Sequence, residues 1–421
     1  MRTLFNIILI ILLTIPGGFA QTPDDYFRIA AENNPGLQAE YKAFEAAMQK
    51  VPQVNTLPDP VFSFGYFISP VETRVGPQRA KFSLTQMFPW FGTLKARGDA
   101  ATLQAEAKYQ AFLDARNRLY FQVAAAWYPL YELNKWKQIE QENVDILESY
   151  KTIAIGKFQN GKGSMLDVLR VDIMLKDAET RLQILNDKEK PLLSTFNNLL
   201  NRNENEPVAV ADSLFIQVLP LSVSKDSLLT RNPVLTELDL KIKAGEASEV
   251  VAQKQGLPNV GIGLDYVVVG EPAGMTSADN GKDVLMPMVS VSIPLFRKKY
   301  NASEQEARLM QESFSLQNEN MINTLLSEFD RTKFTLQQQQ QLVQLYEKQI
   351  STTRQSLNLL FTAYGNSGKE FEEVLRMQQQ LLQYEKNRAT ALAEFHVAMA
   401  KINYLTAKTY NNETSMIGNH P

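Results

Sequence analysis

Four short segments of this chain alternate apolar with small or polar residues, and nearly everything between them reads as helix. In residues 61–69, Phe62, Phe64, Tyr66 and Ile68 share one face, and Ser63, Gly65 and Ser69 share the other. In residues 81–88, Phe82, Leu84 and Phe88 oppose Lys81, Ser83 and Thr85. Residues 260–268 set Ile262, Leu264, Tyr266 and Val268 against Gly261, Gly263 and Asp265; residues 288–295 set Val289, Val291, Ile293 and Leu295 against Ser290 and Ser292. Period-two alternation predicts strands with one apolar face. Each run has about the 9–11 residues that a tilted strand needs to cross a bilayer. A soluble sandwich would pack the apolar faces together; a membrane barrel would turn them to lipid. Four strands make a small core for 421 residues. In lipid, open strand edges leave backbone groups unpaired, so one chain could not close a barrel alone. Two chains would give eight strands and a filled interior, and three would give twelve strands around a lumen.

The strands come in pairs because the chain repeats itself. Asn34-Pro35-Gly36-Leu37 returns as Asn232-Pro233-Val234-Leu235, an offset of 198. Leu57-Pro58-Asp59 returns as Leu257-Pro258-Asn259, an offset of 200, and Asp167-Val168-Leu169-Arg170 as Glu373-Val374-Leu375-Arg376, an offset of 206. The expected division is a signal segment over residues 1–20, a first repeat over 21–223, a second over 224–410 and a polar tail over 411–421. Each repeat is expected to hold a leading helix (24–54 and 224–255), two strands joined by a polar Gly/Pro-rich turn (70–78 and 270–283), and two long helices. A polar linker, 201–223, joins the copies.

The signal reading rests on Arg2, an apolar core from Leu4 to Ile15, and small residues at Gly18 and Ala20. That core is shorter than the roughly 20 residues a spanning helix needs; a retained anchor is the alternative. Residue 21 is Gln rather than Cys, so no lipidated cysteine is expected there.

Residues 92–158 contain only Pro129 and residues 298–361 contain no proline. About 65 helical residues span roughly 98 Å. Phe329, Leu336, Val343, Ile350 and Leu357 recur every seven residues, as do Val171, Ala178, Leu185, Leu192 and Leu199. The following helix pairs Val374/Met377, Leu381/Tyr384, Arg388/Ala391 and Ile402/Leu405 at coiled-coil spacing, with Arg388 as the one charged offender. A period of seven implies left-handed supercoiling. Pro191 is expected to kink or interrupt its helix.

Several functions are excluded by composition. Cys is absent and His occurs twice, at His396 and His420, so thiol catalysis, disulfides and Cys/His zinc sites are not expected. Lys+Arg number 43 against 46 Asp+Glu, with no basic stripe for nucleic acid. G-x-S-x-G, H-E-x-x-H and phosphate-loop motifs are missing, so the chain reads as neither an enzyme nor a cofactor carrier. Met286 and Met288 share a strand face; thioethers suit soft cations, but methionine commonly fills gaps, and no metal site is expected.

Trp90 and Phe91 follow the second strand and Phe296 follows the fourth, where an interfacial aromatic girdle belongs. Pro89 and Pro294 should end the strand ladders. The turns Phe158-x-x-Gly161-x-Gly163-Ser164-x-x-Asp167-Val168-Leu169 and Tyr364-x-x-Ser367-x-Lys369-x-x-x-Glu373-Val374-Leu375 join the long helices. With the duplicated strand pairs, these residues resemble the TolC-like outer membrane efflux family over nearly the whole chain. Leu57-Pro58-Asp59-Pro60 and Gln86-Met87-Phe88-Pro89-Trp90-Phe91-Gly92 resemble its metal-cation efflux branch. The resemblance implies a mixed, mainly α, internally duplicated fold. Long coiled-coil hairpins and four transmembrane strands per chain would form a 12-stranded barrel and an α-helical barrel as a homotrimer. It implies an exit duct in the outer membrane, with a long periplasmic extension that meets an adaptor protein and an RND-type inner-membrane pump. The cargo would be heavy-metal cations or small toxic compounds.

By the same resemblance the hairpin tips, Gln159, Asn160, Gly161, Gly163, Ser164, Gly365, Ser367 and Gly368, would meet the adaptor. Tyr364, Lys369, Glu373, Arg376 and Asp167 would form the periplasmic gate. Arg376 departs from the family pattern, which has an acidic residue there. Read from the residues alone, Glu373/Arg376 and Asp167/Arg170 are also plain i,i+3 surface pairs. A protein-secretion duct and a soluble periplasmic coiled-coil scaffold share many of these features.

Overall fold

The computed structural model describes residues 23–216, 224–272, 274, 279–367 and 371–408. The expected signal segment and polar tail lie outside the described residues. In chain order the elements are α1 (Pro23–Asn33), α2 (Pro35–Asn55), β1 (Val61–Thr73), β2 (Gly76–Phe88), α3 (Thr93–Gln159), α4 (Met165–Leu199), α5 (Lys225–Arg231), α6 (Pro233–Gln255), β3 (Asn259–Val269), β4 (Val284–Ser292), α7 (Lys298–Ser367) and α8 (Phe371–Leu405). The order helix, helix, strand, strand, long helix, helix occurs twice. The chain forms two compact units, and each draws on both repeats. One takes in residues up to 39, 114–232 and from 323 onward; the other takes in 40–113 and 233–322.

Each expected leading helix is two helices. The breaks fall at Asn34-Pro35 and Asn232-Pro233, because a proline disfavours helical backbone in the residue before it. Both asparagines use the break. The Asn34 Oδ1 accepts from the Leu37 N–H at 3.0 Å, capping α2. The Asn34 Nδ2 donates to the Leu199 carbonyl at 2.9 Å, at the end of α4. In the second repeat the Asn232 Nδ2 donates to the Leu405 carbonyl at 3.1 Å, at the end of α8. One side chain thus ties the start of each repeat to its last helical residue.

The strands form a four-stranded antiparallel sheet in the order β1-β2-β3-β4. The pairs run longer than expected. β1 and β2 extend through most of the predicted 70–78 loop, with Thr73 opposite Gly76, and leave a turn of two residues. Pro70 is accommodated at a register shift between Tyr66 and Val71. β4 begins at Val284 and includes Pro287, opposite Leu264. Both prolines lie on edge strands, where a missing ladder donor is tolerated. Gly76 has φ +131°, and a Cβ there would lie 1.8 Å from the Gly270 carbonyl oxygen. Only glycine fits where these two turns meet.

In the first unit, α3, α4, α7 and α8 share a core that includes Leu147, Val171, Leu175, Tyr364, Phe371 and Val374. Val171, Ala178 and Leu185 are buried, as are Phe329, Leu336 and Val343, so the heptads mark the core faces. The seam then drifts. After Pro191 the buried residues are Phe196, Asn197 and Leu200 rather than Leu192 and Leu199. Of the expected kink or interruption at Pro191, the interruption does not occur, since the helix continues to Leu199; past the proline a different stripe faces inward. Arg388 is not buried either; it reaches Glu347 of α7 at 2.9 Å. The start of the linker is pinned by aromatic side chains. The Ala209 N–H donates to the Tyr26 hydroxyl at 2.7 Å, and the Trp127 indole donates to the Ala209 carbonyl at 3.2 Å.

Replacing Asn34 or Asn232 with alanine removes the tie between the ends of a repeat. Each change should cost about 1–2 kcal/mol, the range for a lost cap or buried hydrogen bond. Thermal unfolding of the single variants checks this, and equal melting temperatures for variant and parent would refute the shared role.

Candidate functional site: a sheet with its apolar face bare, and two joined hairpin ends

The sheet exposes the side that a soluble protein would cover. Along β3, Ile262, Leu264 and Tyr266 are 57%, 45% and 41% exposed, whereas Asp265 is 0% exposed and Gly261, Gly263, Val267 and Val269 are buried. Register carries this across the sheet, because Phe64 faces Phe82, Phe82 faces Tyr266, and Tyr266 faces Leu285. Phe64 and Phe82 have ring centroids 5.1 Å apart, and Phe82 and Tyr266 6.4 Å. The opposite face is mixed, with Val267 and Val269 buried beside a charged pair and hydroxyls. Lys81 pairs with Asp265 at 2.5 Å, and Ser83, Thr85 and Ser290 line the same side by register. Met87 reaches over the glycine stripe, with its Sδ 2.6 Å from where a Cβ on Gly261 would lie. No helix among the described residues is long and apolar enough to cross a membrane.

Beside the sheet, Trp90 and Phe91 stand edge to face at 6.0 Å, and Phe91 and Phe296 are largely exposed. Gly92 takes φ +77°, and the Thr93 N–H donates to the Trp90 carbonyl at 3.0 Å. The bend leaves both rings outside as α3 starts.

The first hairpin turn has the expected boundaries. α3 ends at Gln159, Asn160 and Gly161 make the turn with Gly161 at φ +67°, and the Ser164 hydroxyl accepts from the Leu166 N–H at 3.1 Å to cap α4. At the second hairpin the helices reach further into the motif than expected. α7 continues through Gly365 to Ser367, and α8 starts at Phe371. Gly368 and Lys369 lie outside the described residues.

Among the expected gate residues, Tyr364 is 1% exposed and stacks on Phe371 with centroids 4.4 Å apart. Burial, and then the nearby Asp167 carboxylate, push its phenol above its ordinary pKa. Its hydroxyl is buried with no hydrogen-bond partner among the described residues. Asp167 lies in the first turn of α4. Arg170 is 3.9 Å from Asp167 but 2.9 Å from Glu372 of α8, so its ion pair joins the two hairpins. Glu373 pairs with Arg376 on its own helix. Three carboxylates here, Asp167, Glu372 and Glu373, thus share two arginines. Exposed pairs of this kind contribute about 0–1 kcal/mol each, so their weight lies in the local field. Three participants were missed in the sequence, and Glu372, the partner of Arg170, is the first. Phe371 opens a helix rather than sitting in a turn. Lys157 carries only the general signal of a cation in a last helical turn.

Tyr364 is held by packing rather than by its hydroxyl. Tyr364→Phe should therefore change stability by less than about 1 kcal/mol, while Tyr364→Ala should cost about 3–5 kcal/mol. Chemical denaturation of the two variants compares them, and a Phe variant as unstable as the Ala variant would contradict the packing account.

No protein-family model matches the chain, and no curated protein sequence matches it. Solved structures do. The outer-membrane channel OprN superposes with a TM-score of 0.74 at 17% identity, covering 92% of this chain and 90% of its own. CusC, described by its transmembrane channel formation, gives 0.74 at 16% identity, covering 91% of each chain. The outer membrane protein VceC of Vibrio cholerae gives 0.73 at 16%, covering 91% of this chain and 96% of its own. CusC is matched no better than OprN, so the metal-cation branch is not singled out. At these identities the likeness establishes architecture: the chain has the fold of outer-membrane channels, as its TolC-like sequence features imply.

Proposed function

We propose that this chain is a TolC-like outer membrane duct, the exit channel of a tripartite efflux system, acting as a homotrimer. The bare apolar face of the sheet carries the reading. Exposed Phe62, Phe64, Ile262, Leu264 and Val289 on one face, against an ion pair and hydroxyls on the other, suit lipid outside and water inside. A four-stranded sheet ends in two unpaired edges, β1 and β4. Pairing β4 of one copy with β1 of the next satisfies both, and three copies give twelve strands around a passage. Trp90, Phe91 and Phe296 would mark the membrane boundary. A soluble scaffold would have no use for such a face.

The likeness to solved channels supports the same reading at the level of fold. At the hairpin ends, Phe158, Met165, Leu166 and Leu169 are exposed beside Gln159, Asn160, Gly161, Gly163 and Ser164. This rim suits docking by a periplasmic adaptor, and an RND-type pump would feed the duct. Gly365, Ser367 and Gly368 would complete the contact. Tyr364, Lys369, Glu373, Arg376 and Asp167 form the proposed gate. We assign the cargo to heavy-metal cations or small toxic compounds, with selection made at the pump. The chain would sit in the outer membrane without a lipid anchor.

Extracted in detergent, the protein should run as a trimer and form channels in planar bilayers; a monomer soluble without amphiphile would end this reading. Phe64→Lys or Leu264→Lys should weaken assembly by about 2–4 kcal/mol if those sites face mid-bilayer lipid. Glu373→Gln frees the Arg376 charge, so the reversal potential in a salt gradient should move toward anion preference. An unmoved potential would remove Glu373 from the pore lining.

A further inference from the structure

Lys157 is placed where two helices end. It lies in the last turn of α3, and among the described residues its ammonium meets the last turn of α7. Its Nζ donates to the Tyr364 carbonyl at 2.5 Å and lies 3.4 Å from the Gly365 carbonyl. The same ammonium stands 4.1 Å above the centre of the Tyr364 ring. Helix C-termini carry negative partial charge, so one cation serves two of them and an aromatic face as well. The turn after α3 is shaped around its stem. The Lys162 N–H donates to the Lys157 carbonyl at 2.8 Å, and a Cβ on Gly163 would come within 3.0 Å of the Lys157 Cβ.

We propose that Lys157 is a positioning residue of the gate, a clasp that holds the α3/α4 hairpin end against the α7/α8 hairpin end. The proposal rests on the duct reading above. Tyr364 lies between Lys157 from one hairpin and Phe371 from the other. The hairpins cannot part without breaking both carbonyl contacts and uncovering the Tyr364 ring. The outer pair, Arg170 with Glu372, crosses the same seam but is more exposed, and water screens it. Lys157 therefore controls the inner contact, and its loss favours the parted, conducting arrangement.

The test uses the full chain in planar bilayers with Lys157→Met, which keeps the stem and removes the charge, and Lys157→Arg, which keeps the charge. The Met variant should raise channel open probability at least tenfold, the Arg variant should stay near the parent, and both should retain the parent's trimer melting temperature. Because the chain has no cysteine, spin labels on cysteines introduced at Asn160 and Thr362 can read the separation of the hairpins. Lys157→Met should lengthen it. Gly163→Ala, which crowds the stem, should lengthen it by less. Parent-like open probability and label distance in both the Met and the Gly163 variants would overturn the clasp. A parent chain that forms no conducting trimer would overturn the duct reading instead, and the label distances would still decide the clasp.

Discussion

A strand in hydrocarbon must find a partner for every backbone N–H and C=O, because nothing in lipid will substitute for one. Most other features of this chain can be understood from that requirement. Two strands per repeat are too few to close, and duplication gives one chain a sheet of four whose edges are still open. In the proposed duct, closure would come from other copies. In the trimer proposed above, the side of the sheet that carries Asp265, covered and paired to Lys81, would be the wall of a wet passage.

The helical part obeys a different rule. In water, long helices are held by the faces they bury, and the buried seam here wanders. It follows sevens through Phe329, Leu336 and Val343, and it shifts after Pro191 to Phe196 and Leu200. Polar groups are admitted where they have partners. Glu140 is fully buried against Lys386, and Gln339 donates to Glu394 at 2.6 Å. Such pairs cost desolvation and favour one register of helix against helix, which suits four helices whose ends must meet at a fixed place.

Much of this was legible in the sequence, for physical reasons. Period-two alternation marked the faces of all four strands, because side-chain direction in a strand depends only on position parity. Strand ends were less clear. Pro70 fell in a predicted turn and Pro287 just outside a predicted strand, whereas an edge strand accepts both. The breaks at Asn34 and Asn232 were hidden because the same Asn-Pro pairs served as repeat markers and not as stop signals. The candidate gate was legible as a list of residues but not as an arrangement. Tyr364 faces into its own protomer's core, and Arg170 reaches across to Glu372. Lys157 could not have been found by motif, since its partner lies 207 residues away in the chain and is a pair of carbonyls and a ring.

The pairing of β2 with β3 joins the two repeats inside one chain, from Gln78 opposite Val269 to Phe88 opposite Val260. In the trimer proposed here, β4 meeting β1 would join repeats between chains in the same order. Each intermolecular seam would then have a covalently tethered counterpart in every subunit. Each subunit would then carry, in its own β2–β3 pairing, a covalent copy of the seam by which it assembles.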